Sequence, residues 1–221
     1  MKKNFLMDGL RRALEDLDTE KVLQYSRQIK MIAFDPLMVI NGALIPAMRN
    51  ISNAFDEGSL FVPQLLVAAD AFEQSIKILT AKMSGSQLKK LKNGKILIYT
   101  VEGDIHDVGK NIVNIVFQSN GFEIIDLGRN VNAHKVIDAA QAYDVDMIIS
   151  FALMTTTLPR QRELIDVLEE KGIRNKYNVI IGGAAASYQW AAKIEADGYA
   201  GSISEGIVMT MNLIKEKVEA V

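Results

Sequence analysis

The chain holds two histidines, and one of them, His106, stands between Asp104 and Asp107 in the stretch VEGDIHDVGKN, residues 101–111. That stretch directly follows the apolar run Ile96-Leu97-Ile98-Tyr99-Thr100, so a charged, glycine-bounded loop leaves what reads as a buried strand. Several chemistries compete for it. A phosphate-binding loop needs four residues between its glycines, then Lys and a hydroxyl residue. Here residues 104–108 separate Gly103 from Gly109, and Asn111 stands where the hydroxyl belongs. The acid and the histidine would also oppose a polyphosphate. The dinucleotide fingerprint G-x-G-x-x-G is absent from this turn. Asp104 as acceptor of a phosphoryl group leaves His106 without a task. A plainer reading makes His106 a satisfied loop histidine and Asp104 the cap of the next helix.

The elements around the loop divide the chain in two. Residues 1–83 carry helical spacing: Phe5, Leu6, Leu10, Ala13, Leu14 and Leu17 form one apolar stripe. Asp18-Thr19 caps a second helix through about Met31, and Asp35-Pro36 starts a third, which runs towards Phe55 with a kink near Pro46. Gly58 ends it, and Pro63 opens a fourth. Short turns between four helices predict an antiparallel bundle. Residues 84–94, SGSQLKKLKNG, read as a linker. From 95 to 221 apolar runs at 96–101, 122–127, 147–152, 178–181 and 199–200 alternate with helical segments near 108–119, 132–143, 159–171, 186–196 and 204–218. Runs buried on both faces and separated by helices predict a five-stranded parallel sheet in a Rossmann-like, flavodoxin-like α/β domain. In such a sheet ligands bind beyond the carboxyl ends of the strands, which is where 102–109 lies.

Composition narrows the function classes. A net charge of −2 gives no general pull towards nucleic acid or an anionic membrane. No apolar run reaches the roughly 18 residues of a membrane span, and charges interrupt MKKNFLMDGLRRALEDL before a signal core can form. Without cysteine there are no disulfides and no thiolate metal sites. A cytoplasmic location is the expectation.

The frame D-x-H-x-x-G at 104–109 resembles the signature of cobalamin-binding domains of the methionine synthase type. That family carries two further signatures, S-x-L after about 41 residues and a double glycine some 28 later. In this chain residues 110–150 lead to Phe151-Ala152-Leu153, and residues 154–181 lead to Gly182-Gly183. The helical half, with GSLFVPQLLVAA, is similar to the family's cap domain. The resemblance covers nearly the full chain and is nearest to the stand-alone corrinoid proteins of methylamine, methanol and aryl-ether methyltransferase systems, which share LMTTT after the third strand.

The resemblance implies roles residue by residue. His106 replaces the cofactor's own lower base on cobalt, giving a base-off, histidine-ligated cobalamin; imidazole suits such a metal. Asp104 takes the other ring N–H, and the hydroxyl of Thr157 supports Asp104. The implied chemistry is a cycle between Co(I) and methylcobalamin. Gly103, Ile105, Asp107, Val108 and Gly109 would lie against the corrin, with Asp107 a cap or solvent-facing and Lys110 and Asn111 within reach of corrin amides. Ser150, Phe151, Leu153, Thr155, Gly182, Gly183 and Tyr199 fall on positions around the nucleotide tail. Phe61, Val62 and Leu65 are candidates to cover the upper face of cobalt. One departure is clear: the S-x-L serine, which bonds the lower base in relatives, is Phe151 here, and strand alternation turns the adjacent Ser150 to the opposite sheet face.

The function implied is a methyl carrier, not an enzyme on its own, between a substrate-specific methyltransferase and an acceptor-side methyltransferase, served by a reductive activation protein. Neither nucleic acid nor membrane is an expected partner. The alternative is a cobalamin-dependent sensor, but such sensors add a DNA-binding segment and a cap tryptophan, and here the single tryptophan is Trp190.

Overall fold

Aspartate caps start two of the N-terminal helices. In the computed structural model, which describes residues 2–81, 83 and 93–219, α1 (Lys2–Glu15) is followed by α2 (Thr19–Met31), where the Asp18 carboxylate accepts the Lys21 N–H at 3.1 Å. Asp35 accepts the Leu37 N–H at 3.1 Å and opens α3 (Pro36–Val39). The expected kink near Pro46 takes a definite form. Ile40–Leu44 is a π-helical turn in which the Ile45 N–H reaches back to Ile40 O, and α4 (Ile45–Asp56) follows. Pro46 has no N–H to give and its ring crowds the carbonyl one turn back, so a widened turn relieves both. In α5 (Val62–Thr80), Leu65, Ala68, Phe72, Ser75 and Leu79 form one buried stripe, and the Ser75 hydroxyl pairs with that of Ser26 on α2 at 2.7 Å.

The second half alternates strand and helix: β1 (Lys95–Thr100), α6 (Val108–Ser119), β2 (Glu123–Asp126), α7 (Ala133–Tyr143), β3 (Met147–Phe151), α8 (Pro159–Glu170), a 3-10 turn at Arg174–Lys176, β4 (Asn178–Gly182), α9 (Tyr188–Lys193), β5 (Gly198–Tyr199) and α10 (Ile203–Glu219). All strands are parallel, in the order β2-β1-β3-β4-β5, so the five-stranded flavodoxin-like arrangement is borne out. Leu97, Tyr99, Ile148, Val179 and Ile181 form one core with Val136, Ile137 and Ala140 of α7 and Leu164, Ile165 and Leu168 of α8. The alternate residues Ile96, Ile98, Met147, Ile149 and Phe151 are buried on the other face, which is why the strands read as unbroken apolar runs.

By compactness the chain falls into Met1–Lys92 with Gln118–Gly121, and Asn93–Phe117 with Phe122–Val221. The segment read as a linker, 84–94, lies outside the described residues over 84–92. Among the described residues no helix is long and apolar enough to cross a membrane.

The strand order fixes where a ligand site can form. The chain moves from β1 to β2 on one side and from β3 to β4 on the other. The carboxyl ends of β1 and β3 are therefore the switch point of the sheet, and this edge is the place where ligands bind in folds of this order. Close backbone packing also marks that edge. Gly183 has φ +102°, and a Cβ placed on it would lie 2.3 Å from Ala152 O. Gly183→Ala should therefore destabilise the apo-protein by at least about 2 kcal/mol, combining left-handed strain with overpacking. A urea midpoint equal to that of wild type would show that the β3 and β4 ends can part at little cost.

Candidate functional site

The site is built from the two loops that follow β1 and β3. After Val101 the chain turns at Gly103, whose φ of +80° is one that glycine adopts without strain. The turn carries Asp104 inward until its side chain has no exposed surface. Five donors meet that carboxylate. One oxygen takes the His106 backbone N–H at 3.1 Å and lies 2.8 Å from His106 Nδ1. The other accepts Leu153 N–H at 2.8 Å, Met154 N–H at 3.3 Å and the Thr157 hydroxyl at 3.0 Å. Burial pushes the Asp104 carboxyl up, but the bonds from Leu153, His106 and Thr157 outweigh it and hold the group below the ordinary aspartate value.

An ionised carboxylate can only accept, so Nδ1 of His106 donates to it, and in the neutral ring the lone pair then lies on Nε2. The His106 side chain is 55% exposed, and no described residue bonds Nε2. A half-exposed imidazole with a fixed tautomer and an open nitrogen has the chemistry of a metal ligand. Among the described residues no group of three or more His, Asp or Glu is arranged to hold an ion. The donor set thus fits a metal that brings its other ligands with it, as a macrocycle does. The surroundings suit a broad, partly apolar surface: Ile105 and Val108 are 63% and 72% exposed, and a Cβ built on Gly109 would meet nothing within 4 Å.

The other sequence candidates separate into groups. Leu153 joins the site through its backbone N–H and Thr157 through its hydroxyl, while Thr155 is exposed. Asp107 faces Arg129 at 3.8 Å. Phe151 is buried with its ring 3.4 Å from where a Gly182 Cβ would stand. Ser150 points to the opposite sheet face, donating to Tyr99 OH at 3.0 Å, and belongs to the interior. Gly183 is required by Ala152. Tyr199 is partly buried against the core on that same opposite face. Lys110, expected within reach of corrin amides, is 1% exposed and donates to Asp126 at 2.5 Å and Asn111 at 2.9 Å. In the helical unit Phe61 and Val62 are 68% and 37% exposed, but Leu65 lies on the buried stripe of α5, and the exposed apolar positions continue at Leu66 and Val67.

Residues outside the sequence candidates complete the framework. The buried Gln161 donates to Ser150 O at 2.8 Å and Gly182 O at 3.2 Å and accepts from Trp190 Nε1 at 3.1 Å, which locks the ends of β3 and β4. Arg129 and Asn130 bond the loop that carries His106. The string GRNVN, between the apolar run at 122–127 and the next helical segment, is rich in turn-forming residues, but nothing in it names a partner.

Comparison with known proteins agrees with this geometry. Residues 94–208 match the family model described as B12 binding domain, and residues 6–80 match a second model with the same description. Dimethylamine corrinoid protein 1 of Methanosarcina mazei is 40% identical over 216 residues, which is 97% of this chain and 99% of that protein. A cobalamin-binding protein from Desulfitobacterium hafniense DCB-2 superimposes with a TM-score of 0.79 at 26% identity, covering 94% of this chain and 98% of that one. The methanol:cobalamin methyltransferase complex MtaBC from Methanosarcina barkeri also gives a TM-score of 0.79, at 28% identity over 95% of this chain and 80% of that one. With the family models spanning both halves and the imidazole–carboxylate pair at the switch point, this chain belongs to the B12-binding corrinoid proteins, and its cofactor is cobalamin.

Proposed function

We propose that the protein is a methyl carrier that binds cobalamin base-off, with His106 Nε2 as the lower ligand of cobalt. The observation that carries this reading is the buried, ionised Asp104, which holds the Nδ1 proton of a half-exposed imidazole. When bound, the corrinoid supplies a cobalt centre able to take a methyl group from one partner and give it to another. The chain's own part is positional and protonic. Asp104 raises the donor strength of Nε2 by accepting at Nδ1. An imidazole free of the metal could hold a proton at Nε2 and would remain paired with Asp104 through Nδ1. The Thr157 hydroxyl, which lies 3.0 Å from Asp104 and 2.9 Å from Met154 O, favours the ionised carboxylate throughout.

In this reading Gly103, Ile105, Val108 and Gly109 meet the corrin, and residues 1–83 serve as a cap joined by 84–94 to a binding domain over 95–221. Phe61 and Val62 are the cap side chains proposed to shield cobalt. The partners are a donor-specific methyltransferase, an acceptor-side methyltransferase and a reductive activation protein. A methylated amine is the favoured donor, supported by the name and near-complete coverage of the 40% identical relative; methanol and aryl methyl ethers are the competing donors. The reduced, cobalamin-bound protein should therefore be methylated by a dimethylamine-specific methyltransferase with dimethylamine. Methylation only by the methanol or aryl-ether enzymes would move the donor, and methylation by none of them would sink the carrier reading.

Two substitutions test the ligand pair. His106→Ala should retain the corrinoid yet lose the nitrogen splitting in the electron paramagnetic resonance of the Co(II) state; persistence of that splitting would exclude His106. Asp104→Asn should raise the four-coordinate fraction and shift the Co(II)/Co(I) midpoint upward, because an amide NH2 now opposes donors and the ring loses its charged acceptor. An unchanged midpoint with coordination intact would remove Asp104 from the relay.

Phe151 generates a further expectation. Its ring offers no donor, and the neighbouring Ser150 hydroxyl is spent on Tyr99. A hydrogen bond to the lower base is worth about 0.5–1.5 kcal/mol net, a loss that packing against an aromatic ring can offset. Cobamides with phenolic lower bases should consequently bind within a few-fold of cobalamin, and Phe151→Ser should increase the preference for benzimidazole tails. Strong discrimination by the wild type in favour of tails with that nitrogen would show that another group reads it.

A further inference from the structure

Both ends of the loop that carries His106 are tied to one short segment, 126–131, which starts at the last residue of β2. At the upstream end, two adjacent residues bond three successive residues of the loop. Asn130 Oδ1 accepts the Gly103 N–H at 2.8 Å, the Asn130 N–H donates to Asp104 O at 3.1 Å, and Arg129 donates to Ile105 O at 3.0 Å. At the downstream end, the buried Lys110 of α6 donates to one oxygen of Asp126, whose other oxygen accepts the Gly128 N–H at 2.8 Å.

Asn130 has φ +56°, a left-handed conformation that asparagine enters more readily than most residues. In it the backbone N–H and the side-chain carbonyl reach neighbouring peptide groups of the loop. The need for such a grip follows from Gly103. A glycine at φ +80° is free to leave that conformation, and its N–H is held by the Asn130 side chain. The Asp104 carboxylate is fixed from the β3 side by Leu153, Met154 and Thr157, whereas its main chain is fixed from the β2 side by Asn130. His106 hangs from both.

We infer that Asn130 is a positioning residue for the cobalt ligand: its side-chain carbonyl holds the Gly103 peptide and thereby sets how persistently the His106 imidazole stays on the metal. The inference rests on the assignment of His106 as lower ligand. Asn130→Gly is the direct test, since it keeps the left-handed backbone and the N–H to Asp104 while deleting the acceptor. Asn130→Asp keeps an acceptor oxygen at the same place. Each variant is compared with wild type, bound to cobalamin, by the fraction of Co(II) lacking a nitrogen ligand in electron paramagnetic resonance.

Asn130→Gly should retain cobalamin and raise the ratio of nitrogen-free to nitrogen-ligated cobalt by about threefold to tenfold, the scale of one net hydrogen bond, and Asn130→Asp should bring it back to the wild-type value. An unchanged ratio in Asn130→Gly, or an Asp variant that behaves like the Gly variant, overturns the inference. An Asn130→Gly chain that fails to fold also overturns it, because the residue would then serve the fold. A wild type without any nitrogen ligand overturns the His106 assignment, and this inference falls with it, a failure distinct from the others.

Discussion

An ionised carboxylate with no exposed surface costs several kcal/mol to remove from water unless its surroundings replace the lost hydration. Asp104 is such a group, and five donors surround it. Two belong to His106 on its own loop, and three come from residues 153–157 beyond β3. Neither loop can satisfy Asp104 alone. The carboxylate is stable only where β1 and β3 lie side by side and their loops part, so the fold's switch point and the site require each other. Removing a single donor leaves about 1–3 kcal/mol of unpaid desolvation. That penalty keeps His106 Nδ1 engaged and its tautomer fixed before any ligand arrives.

The same edge of the sheet contrasts rigid parts with open ones. At the ends of β3 and β4, Gln161 uses its amide on two backbone carbonyls and the Trp190 indole, and Gly183 packs its backbone against Ala152. Around His106, by contrast, Ile105 and Val108 are exposed and the space above Gly109 is clear. A firm support beneath an exposed nitrogen and an apolar rim suits a large ligand that is held by shape and by one coordinate bond. Under the proposed ligation by His106 one imidazole would suffice, because a corrin would bring the other cobalt donors with it.

Much of this was legible in the residues, and the reasons differ by element. The strands stood out because both faces of a parallel sheet are buried, which leaves apolar runs such as Ile96–Tyr99 unbroken. The D-x-H-x-x-G frame was legible because its residues are local: Asp104 and His106 bond each other across two positions. Thr157 was reached through the family resemblance alone, since its contact with Asp104 spans 53 positions and depends on β1 lying beside β3. Asn130 and the Lys110–Asp126 pair escaped for the same reason, as each bonds across a gap that only the topology closes. On α5 the difficulty was one of phase. A residue advances about 100° around a helix, so Leu65 turned inward while Leu66 faced out. Proline at 46 announced a break, but not that a π-turn would absorb it.

Histidine ligation is most directly read by isotope. Protein grown with nitrogen-15 histidine, bound to cobalamin of natural abundance and poised as Co(II), has only its own two imidazoles labelled. Ligation by His106 predicts that the nitrogen splitting changes from a triplet to a doublet, because nitrogen-15 has half the nuclear spin of nitrogen-14. A triplet that persists in the labelled protein would mean that the cofactor's own base remains on cobalt, and the buried Asp104 network would then need another purpose.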